Sequence, residues 1–346
     1  MKRFRFSIII VTWNALHHLK NYLASVTATD YPDYEILIAD NASDDGTGEW
    51  VRKNFPGIRV VRLNKNYGYC GGNNRAAKKA TGDILLFLNN DVEVTPGWLK
   101  HLNKTFQDNP DVAVVQPKLR AHANREYFEY AGAAGGFLDK YGYPFCRGRI
   151  LDNVEKDNGQ YDEPSDIFWA SGAAFAIRKD LFELMNGFDE DFGFHMEEID
   201  LCWRLWNRGY RVRYCPESVV YHLGGGSLAM GSPRKVYYNF RNNLIMFWKN
   251  ATPYDLLTKF PVRYKLDIIA FLRTLLTFNL TESKAILRAH IHFWRRFSVY
   301  NNRRQHLLSR RTIPDNPKTL IPISIIWQYY VRHRRTFDKL KHPEHE

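Results

Sequence analysis

The chain has 346 residues, 45% of them hydrophobic and 15% aromatic, with a formal net charge of +12. That apolar share supplies one large core with a smaller appendage and excludes disorder as the main state. Cys70, Cys146, Cys202 and Cys215 form no CxxC or Cys/His cluster, which speaks against a disulfide framework or zinc module and for a reducing compartment. The charge is uneven: residues 231–346 hold 22 Lys/Arg against 7 Asp/Glu, while residues 1–230 hold 27 against 30. The basic character belongs to the second part, as expected for a catalytic region carried on a segment that meets anionic lipid or another polyanion.

In chain order, FSIIIVT near Phe6 to Val11 is a β-branched run that predicts a parallel strand buried on both faces. Leu16, Leu19, Leu23 and Val26 then recur at helical spacing over Ala15 to Thr27. The alternation continues with a strand at Tyr34 to Ala39, a helix around Gly46 to Asn54, a strand at Ile58 to Leu63, a helix around Asn73 to Ala80 and a strand at Ile84 to Leu88. Strands alternating with helices predict a doubly wound, mostly parallel sheet flanked by helices.

From about Val112 to Gln160 the rhythm is less regular and rich in glycine and tyrosine, as in loops and short strands closing over a site. Regular signals return at Ile167 to Ile177, in a helix at Glu197 to Arg208 ended by Gly209, and in strands at Arg211 to Tyr214 and Ser218 to His222. From Lys235 onward the pattern is helical, with Ile286, Ile291, Phe293, Trp294 and Phe297 interleaved with Arg288, Arg295 and Arg296. Such a tail either lies at a membrane interface or packs on the core with a solvated basic face. No segment reaches the roughly 18 apolar residues of a spanning helix, and no signal-peptide pattern opens the chain. The expected location is the cytoplasm, peripheral on the inner face of the membrane.

Open parallel sheets bind ligands beyond the carboxyl ends of their strands. Polar residues stand there four times: Thr12 and Asn14, Asp40 and Asn41, Asn64 and Asn66, then Asn89, Asn90 and Asp91. One such residue could merely start a turn; four sets together predict a polar crevice.

Four motifs occur in order: SIIIVTWN at Ser7 to Asn14, DNASDDGT at Asp40 to Thr47, NYGYCGGNN leading into TGDILLFLNNDVEVTPGWL between Asn66 and Leu99, and GFDEDFGFHMEEIDLCWRLWNRGYRV at Gly187 to Val212. Over residues 5 to about 225 the chain resembles the family 2 glycosyltransferases of the GT-A fold, nearest to the rhamnosyltransferase-like branch that builds polysaccharides. The resemblance implies a catalytic region over residues 1–230 and a helical, basic C-terminal region over residues 231–346.

It also implies site residues. Asp91 takes the place of the last acid of an Asp-x-Asp metal motif, here Asn89-Asn90-Asp91 with one acid missing, and His222 in VVYHLGGGS takes that of a histidine completing the coordination of Mg or Mn. Asp40 occupies the place of the acid that holds the nucleobase; Thr12 and Asn14 line that subsite; Asn66, Asn73 and Asn90, with Gly68, Gly71 and Gly72, approach ribose or diphosphate. Asp44 and Asp45 read as helix caps instead. Glu198 in EEID falls on the general base, with Glu197 as the substitute if the register shifts. Asp200 either holds the helix start or positions the acceptor; Ser171 and Gly172 form an acceptor wall with Trp169, which is equally well core filler.

These assignments imply an inverting transfer of a sugar from a UDP- or dTDP-linked donor to a glycan or lipid-linked glycan in cell-surface polysaccharide assembly, with a divalent cation as cofactor. The missing acid keeps open the alternative of an inactive relative acting as an assembly partner. No nucleic-acid partner is expected, because the basic excess lies outside the crevice and no such motif occurs. A dinucleotide oxidoreductase is disfavoured because TWNALHH, not GxGxxG, follows the first strand.

Overall fold

The computed structural model describes residues 3–224 and 232–340. The boundary expected between residues 230 and 231, and the Gly225-Gly226-Ser227 end of the histidine motif, lie outside the described residues.

The first half follows the expected alternation: β1 (Phe6–Thr12), α1 (Leu16–Thr27), β2 (Tyr34–Asp40), α2 (Thr47–Asn54), β3 (Arg59–Arg62), α3 (Gly68–Ala77) and β4 (Ile84–Leu88). A short β5 (Val92–Val94), α4 (Trp98–Asp108) and the long β6 (Val112–Ala121) follow. The glycine-rich middle forms small strands, β7 (Gly136–Asp139), β8 (Pro144–Cys146), β9 (Arg149–Ile150), β10 (Asn153–Val154) and β11 (Ser165–Asp166). Then come β12 (Ala174–Arg178), α5 (Lys179–Leu184), α6 (Glu197–Trp206) and β13 (Arg211–His222). The C-terminal region is α7 (Pro233–Asn250), α8 (Pro253–Thr258), α9 (Phe260–Leu276), α10 (Leu280–Arg295), α11 (Phe297–Leu308), β14 (Leu320–Ile321) and α12 (Ile325–Tyr330).

The main sheet runs β11-β13-β6-β12-β4-β1-β2-β3, with β5 paired to β13. Its β4-β1-β2-β3 half is wholly parallel, whereas β12 is antiparallel to both β4 and β6. Alternate side chains of the buried strands feed two cores. Phe6, Ile8 and Ile10 meet α1 and α4 on one face, while Ile9, Leu37 and Phe87 join the core shared with α3, α6 and the C-terminal helices on the other. The chain winds β1-β2-β3 in one direction and returns to place β4 on the far side of β1, so the sheet reverses its order between β1 and β4, the expected place for a ligand.

Three local readings change. The glycine-rich run before Asn73, expected to bring backbone toward the ribose or diphosphate, forms the first turns of α3, and a Cβ on Gly72 would come within 2.9 Å of Val11 Cγ1 and Asn41 Nδ2. Gly72 therefore lets helix and strand pack closely, while Gly71 is hemmed in by Tyr67, Arg75 and Glu190. Of the regular run at 167–177 only the part from Ala174 is strand, and the two predicted strands at 211–222 are one, interrupted by a register shift between Cys215 and Val219. The C-terminal region is built into the core: Leu244, Ile245, Met246 and Phe247 of α7 are buried, and β14 adds a parallel strand to β7 in the second sheet.

Candidate active site

Two adjoining cavities, of about 660 and 410 Å³, open at the switch between β1 and β4 and share Tyr69, Asn89, Asp91 and Phe194. The larger is lined by Thr12, Asn14, Asn41, Asn66, Asn90 and Arg234 among others. The smaller is lined by Glu129, Ser171, Gly172, Glu197, Glu198, His222 and Lys235. Asp91 faces both, and it shares one cavity wall with Glu198.

Topology brings these groups together. The Asn90 amide donates to Thr12 Oγ1 at 3.3 Å across the switch, joining the ends of β1 and β4. Because β5 pairs antiparallel with β13, Val92 stands opposite His222, and Leu223 N–H donates to the Asp91 carbonyl at 3.1 Å. His222 Nε2 is thereby held 3.2 Å from Asp91 Oδ1. Its Nδ1 lies 3.2 Å from Glu129 Oε1, an ion-pair contact rather than an aligned hydrogen bond. Burial opposes charge on the imidazole, but Glu129 and Asp91 on either side outweigh it and raise its pKa to about 10. Burial likewise pushes Asp91 up, and the His222 contact more than reverses this, leaving the carboxyl below its usual value.

The donor set fits a divalent cation. Asp91, where the two cavities meet, offers carboxylate oxygen, and His222 in the smaller one would offer an imidazole nitrogen once a cation displaces its proton, a mixed O/N pair for a divalent cation. Among the described residues no group of three or more His, Cys, Asp or Glu side chains could hold a metal by itself, so further ligands would have to come from the diphosphate and water.

Glu197 and Glu198 open α6. The approach to them is left-handed at Gly193, His195 and Met196, with φ of 70°, 67° and 72°. Two such non-glycine residues in succession cost energy that the surroundings must supply. Asn242, wholly buried on α7, supplies it by donating to the carbonyls of Phe192, Phe194 and His195 at 2.9, 2.7 and 2.8 Å. Arg241 Nη2 adds bonds to the carbonyls of Asp191 and Phe192 at 2.6 and 2.8 Å. Glu198 is partly open to the cavity, with Oε2 buried and without a hydrogen-bond partner; burial raises its pKa to about 7. Glu197 is driven well above the ordinary glutamate value by burial and then by Glu198. Gly172 passes so close to Glu198 that a Cβ there would stand 3.8 Å from its Cδ.

Other expected residues go elsewhere. Asp200 is fully buried between Arg204, Lys249 and Asn250, at 2.8, 3.0 and 2.8 Å, and lines neither cavity. It ties α6 to α7 and has no oxygen to offer an acceptor. Trp169 is core filler: its indole packs on Gly136 and donates to the Phe137 carbonyl at 3.0 Å. Asn73 is buried inside α3 and donates to the Tyr69 carbonyl at 3.1 Å, outside both cavities. Asp40, expected to hold the nucleobase, is fully buried and lines neither cavity, accepting from Ser43 N–H at 2.8 Å and from Arg62 at 3.2 Å. Ser171 lines the smaller cavity with its N–H bound to Gln116 and its hydroxyl donated to the Ala131 carbonyl. Asp45 accepts from Leu16 N–H at 2.9 Å, where α1 begins, and from Thr47 N–H at 3.1 Å, where α2 begins.

Glu129, Arg234, Lys235, Arg241 and Asn242 escaped the sequence reading. The first sits in the irregular middle, but the polar triplet Arg241-Asn242-Asn243 running directly into the apolar Leu244-Ile245-Met246-Phe247-Trp248 was a usable signal.

Comparison with known proteins gives the family and the fold. The pattern described as glycosyl transferase family 2 matches residues 7–184. The O-antigen biosynthesis protein RfbC of Myxococcus xanthus is 30% identical over 67% of this chain but only 18% of its own length. The N-acetylglucosaminyl-diphospho-decaprenol L-rhamnosyltransferase of Mycobacterium tuberculosis is 25% identical over 62% of this chain and 75% of its own. The crystal structure of GalNAc-T7 with UDP, GalNAc and Mn2+ shares the fold with a TM-score of 0.56 at 20% identity, covering 72% of this chain and 48% of the other.

Proposed function

We propose that this chain, which belongs to the family 2 glycosyl transferases, moves one sugar from a nucleotide diphosphate donor to a hydroxyl of a glycan or lipid-linked glycan in cell-surface polysaccharide assembly. The observation that carries the proposal is that Asp91, His222 and Glu198 line a single cavity that opens into the polar cleft between β1 and β4. The donor nucleotide, UDP- or dTDP-linked, lies along Thr12, Asn14, Asn41, Asn66 and Asn90. A divalent cation bound by Asp91 and His222 would neutralise charge on the departing diphosphate; the Mn2+ and UDP in the GalNAc-T7 structure support that choice.

Glu198 takes the proton of the acceptor hydroxyl as its oxygen attacks the anomeric carbon. The bond from that carbon to the diphosphate oxygen breaks on the opposite side, so configuration inverts. Arg234 and Lys235 bring two positive charges to the cleft wall, where the leaving group's negative charge collects. Among the described residues no helix is long and apolar enough to cross a membrane; the basic C-terminal helices hold the protein against an anionic cytoplasmic surface.

A screen of nucleotide sugars for stabilisation that depends on Mn2+ or Mg2+, and for slow hydrolysis, tests this reading. At least one UDP- or dTDP-sugar should raise the melting temperature and be hydrolysed. No stabilisation by any nucleotide sugar refutes the proposal, and binding without hydrolysis or transfer points to an inactive relative.

A further inference from the structure

A third cavity, of about 660 Å³, lies between α7 and α10 and is lined by Pro233, Arg234, Tyr237, Tyr238, Thr281, Lys284, Ala285 and Arg288. Its volume suits a small ligand, about 300–1,000 Å³ being usual. Three cations and two phenols face it, and no acid does. Among the described residues Arg234, Lys284 and Arg288 form no salt bridge, although twenty-five such contacts tie up charges elsewhere in the chain. Arg234 lies against the rings of Phe194 and Tyr238 and Arg288 against that of Tyr237, contacts that orient these cations without neutralising them; cations without an acid partner converging on one concavity match a multiply charged anion.

Two features tell which anion. Arg234 also lines the larger cavity of the active site, so the third cavity adjoins the catalytic cleft. On its other side, Thr281 follows directly on the turn between α9 and α10, where Leu276 is 80%, Phe278 86% and Leu280 54% exposed. Phe278 adopts φ of 55°, a left-handed conformation that costs a bulky residue energy and here holds an aromatic ring out toward solvent. Leu272 and Ile269 continue exposed apolar surface along α9. An apolar tip beside a cationic cavity matches a lipid that carries phosphate at its head.

We propose that the cavity between α7 and α10 binds the phosphate groups of the acceptor's lipid carrier, with the Leu276–Leu280 turn entering the hydrocarbon and the attached glycan reaching past Arg234 toward Glu198. This rests on the glycosyltransferase reading and deepens it by assigning the acceptor class to a long-chain prenyl phosphate or diphosphate.

The test uses the full chain in flotation with phosphatidylcholine vesicles doped either with a polyprenyl diphosphate or, at matched charge, with phosphatidylglycerol. The wild type should prefer polyprenyl diphosphate vesicles by about tenfold or more, and Lys284→Gln/Arg288→Gln should lose that preference. Phe278→Ser should weaken binding to both vesicle types while an excess of inorganic pyrophosphate leaves the wild type bound. The double variant retaining full preference, equal binding to phosphatidylglycerol, or complete displacement by pyrophosphate would each overturn the proposal, the last by showing a site for free anions. Donor stabilisation measured in parallel should be unchanged in the double variant, which checks its folding. Loss of donor stabilisation in the wild type would instead sink the glycosyltransferase reading and leave the lipid preference standing.

Discussion

The side-chain amide of Asn242 donates to the carbonyl of His195 at 2.8 Å, and so the helix that opens the basic C-terminal region holds the left-handed turn that aims Glu198 into the cleft. Ion pairs reinforce the hold: Lys249 of α7 reaches Asp189 and Asp200, and Arg296 and Arg303 reach Asp191. The C-terminal helices are part of the machinery that positions the acids. Asn242→Leu should lower stability by about 1–3 kcal/mol through the unpaired carbonyls it leaves. It should reduce turnover more than donor affinity; calorimetry with single-turnover kinetics checks both, and a drop in donor affinity alone would contradict the assigned role.

The pH profile should report Glu198. Burial raises its pKa to about 7, and a base acts only when ionised, so transfer should rise with pH up to about 7 and level above it. A rate that falls over the same range, under conditions where donor binding is constant, would assign the titrating group to an acid instead.

Stability should move the opposite way. Glu197 and Glu198 both have native pKa values above the ordinary glutamate value, so the native state binds more protons than the unfolded chain. The stabilisation from their protonated forms is complete below the unfolded value and is lost as pH rises through the native values. Glu197→Gln keeps the neutral form at every pH, and its melting temperature should exceed that of the wild type at pH 8 by about 1–3 °C while matching it at pH 4. Equal differences at both pH values would show that burial of the charge is not the cause.

Asp91→Asn and His222→Ala should each weaken Mn2+ binding, read by calorimetry or by the electron spin resonance of free Mn2+. Glu129 contacts His222 from the far side and fixes which ring nitrogen faces Asp91. Glu129→Gln should cost about tenfold in Mn2+ affinity, in the same direction as the ligand changes, and leave metal-free nucleotide binding intact.

Much of this site was legible because strand ends are legible. A β-branched run followed by Thr-x-Asn, or by Asn-Asn-Asp, announces both the strand and the place where it stops, and the family resemblance of the ordered motifs implied that Asp91 and Glu198 serve one site. Side-chain direction within helices was not legible from a motif. Asp200 follows Glu198 by two positions, which on a helix turns it to a different face, and there Arg204 and Lys249 claim it. Asn73 was placed near the diphosphate with the glycines before it, whereas those glycines begin α3, which turns Asn73 inward, and Gly72 serves the close packing of α3 on β1 and β2. Trp169 offered no periodicity to separate a cavity wall from core, and the hydrogen bond of its indole to Phe137 decided the matter. Glu129, Arg234 and Asn242 reach the site only through tertiary pairing of segments distant in sequence.

The most direct test is donor affinity and transfer rate measured side by side in Glu198→Gln, which keeps shape and removes the proton acceptor. Transfer should fall at least about a hundredfold while metal-dependent donor binding stays within about twofold of the wild type. Undiminished transfer, or donor binding lost in step with it, would contradict a cleft in which Asp91 and His222 serve the donor and Glu198 the incoming hydroxyl.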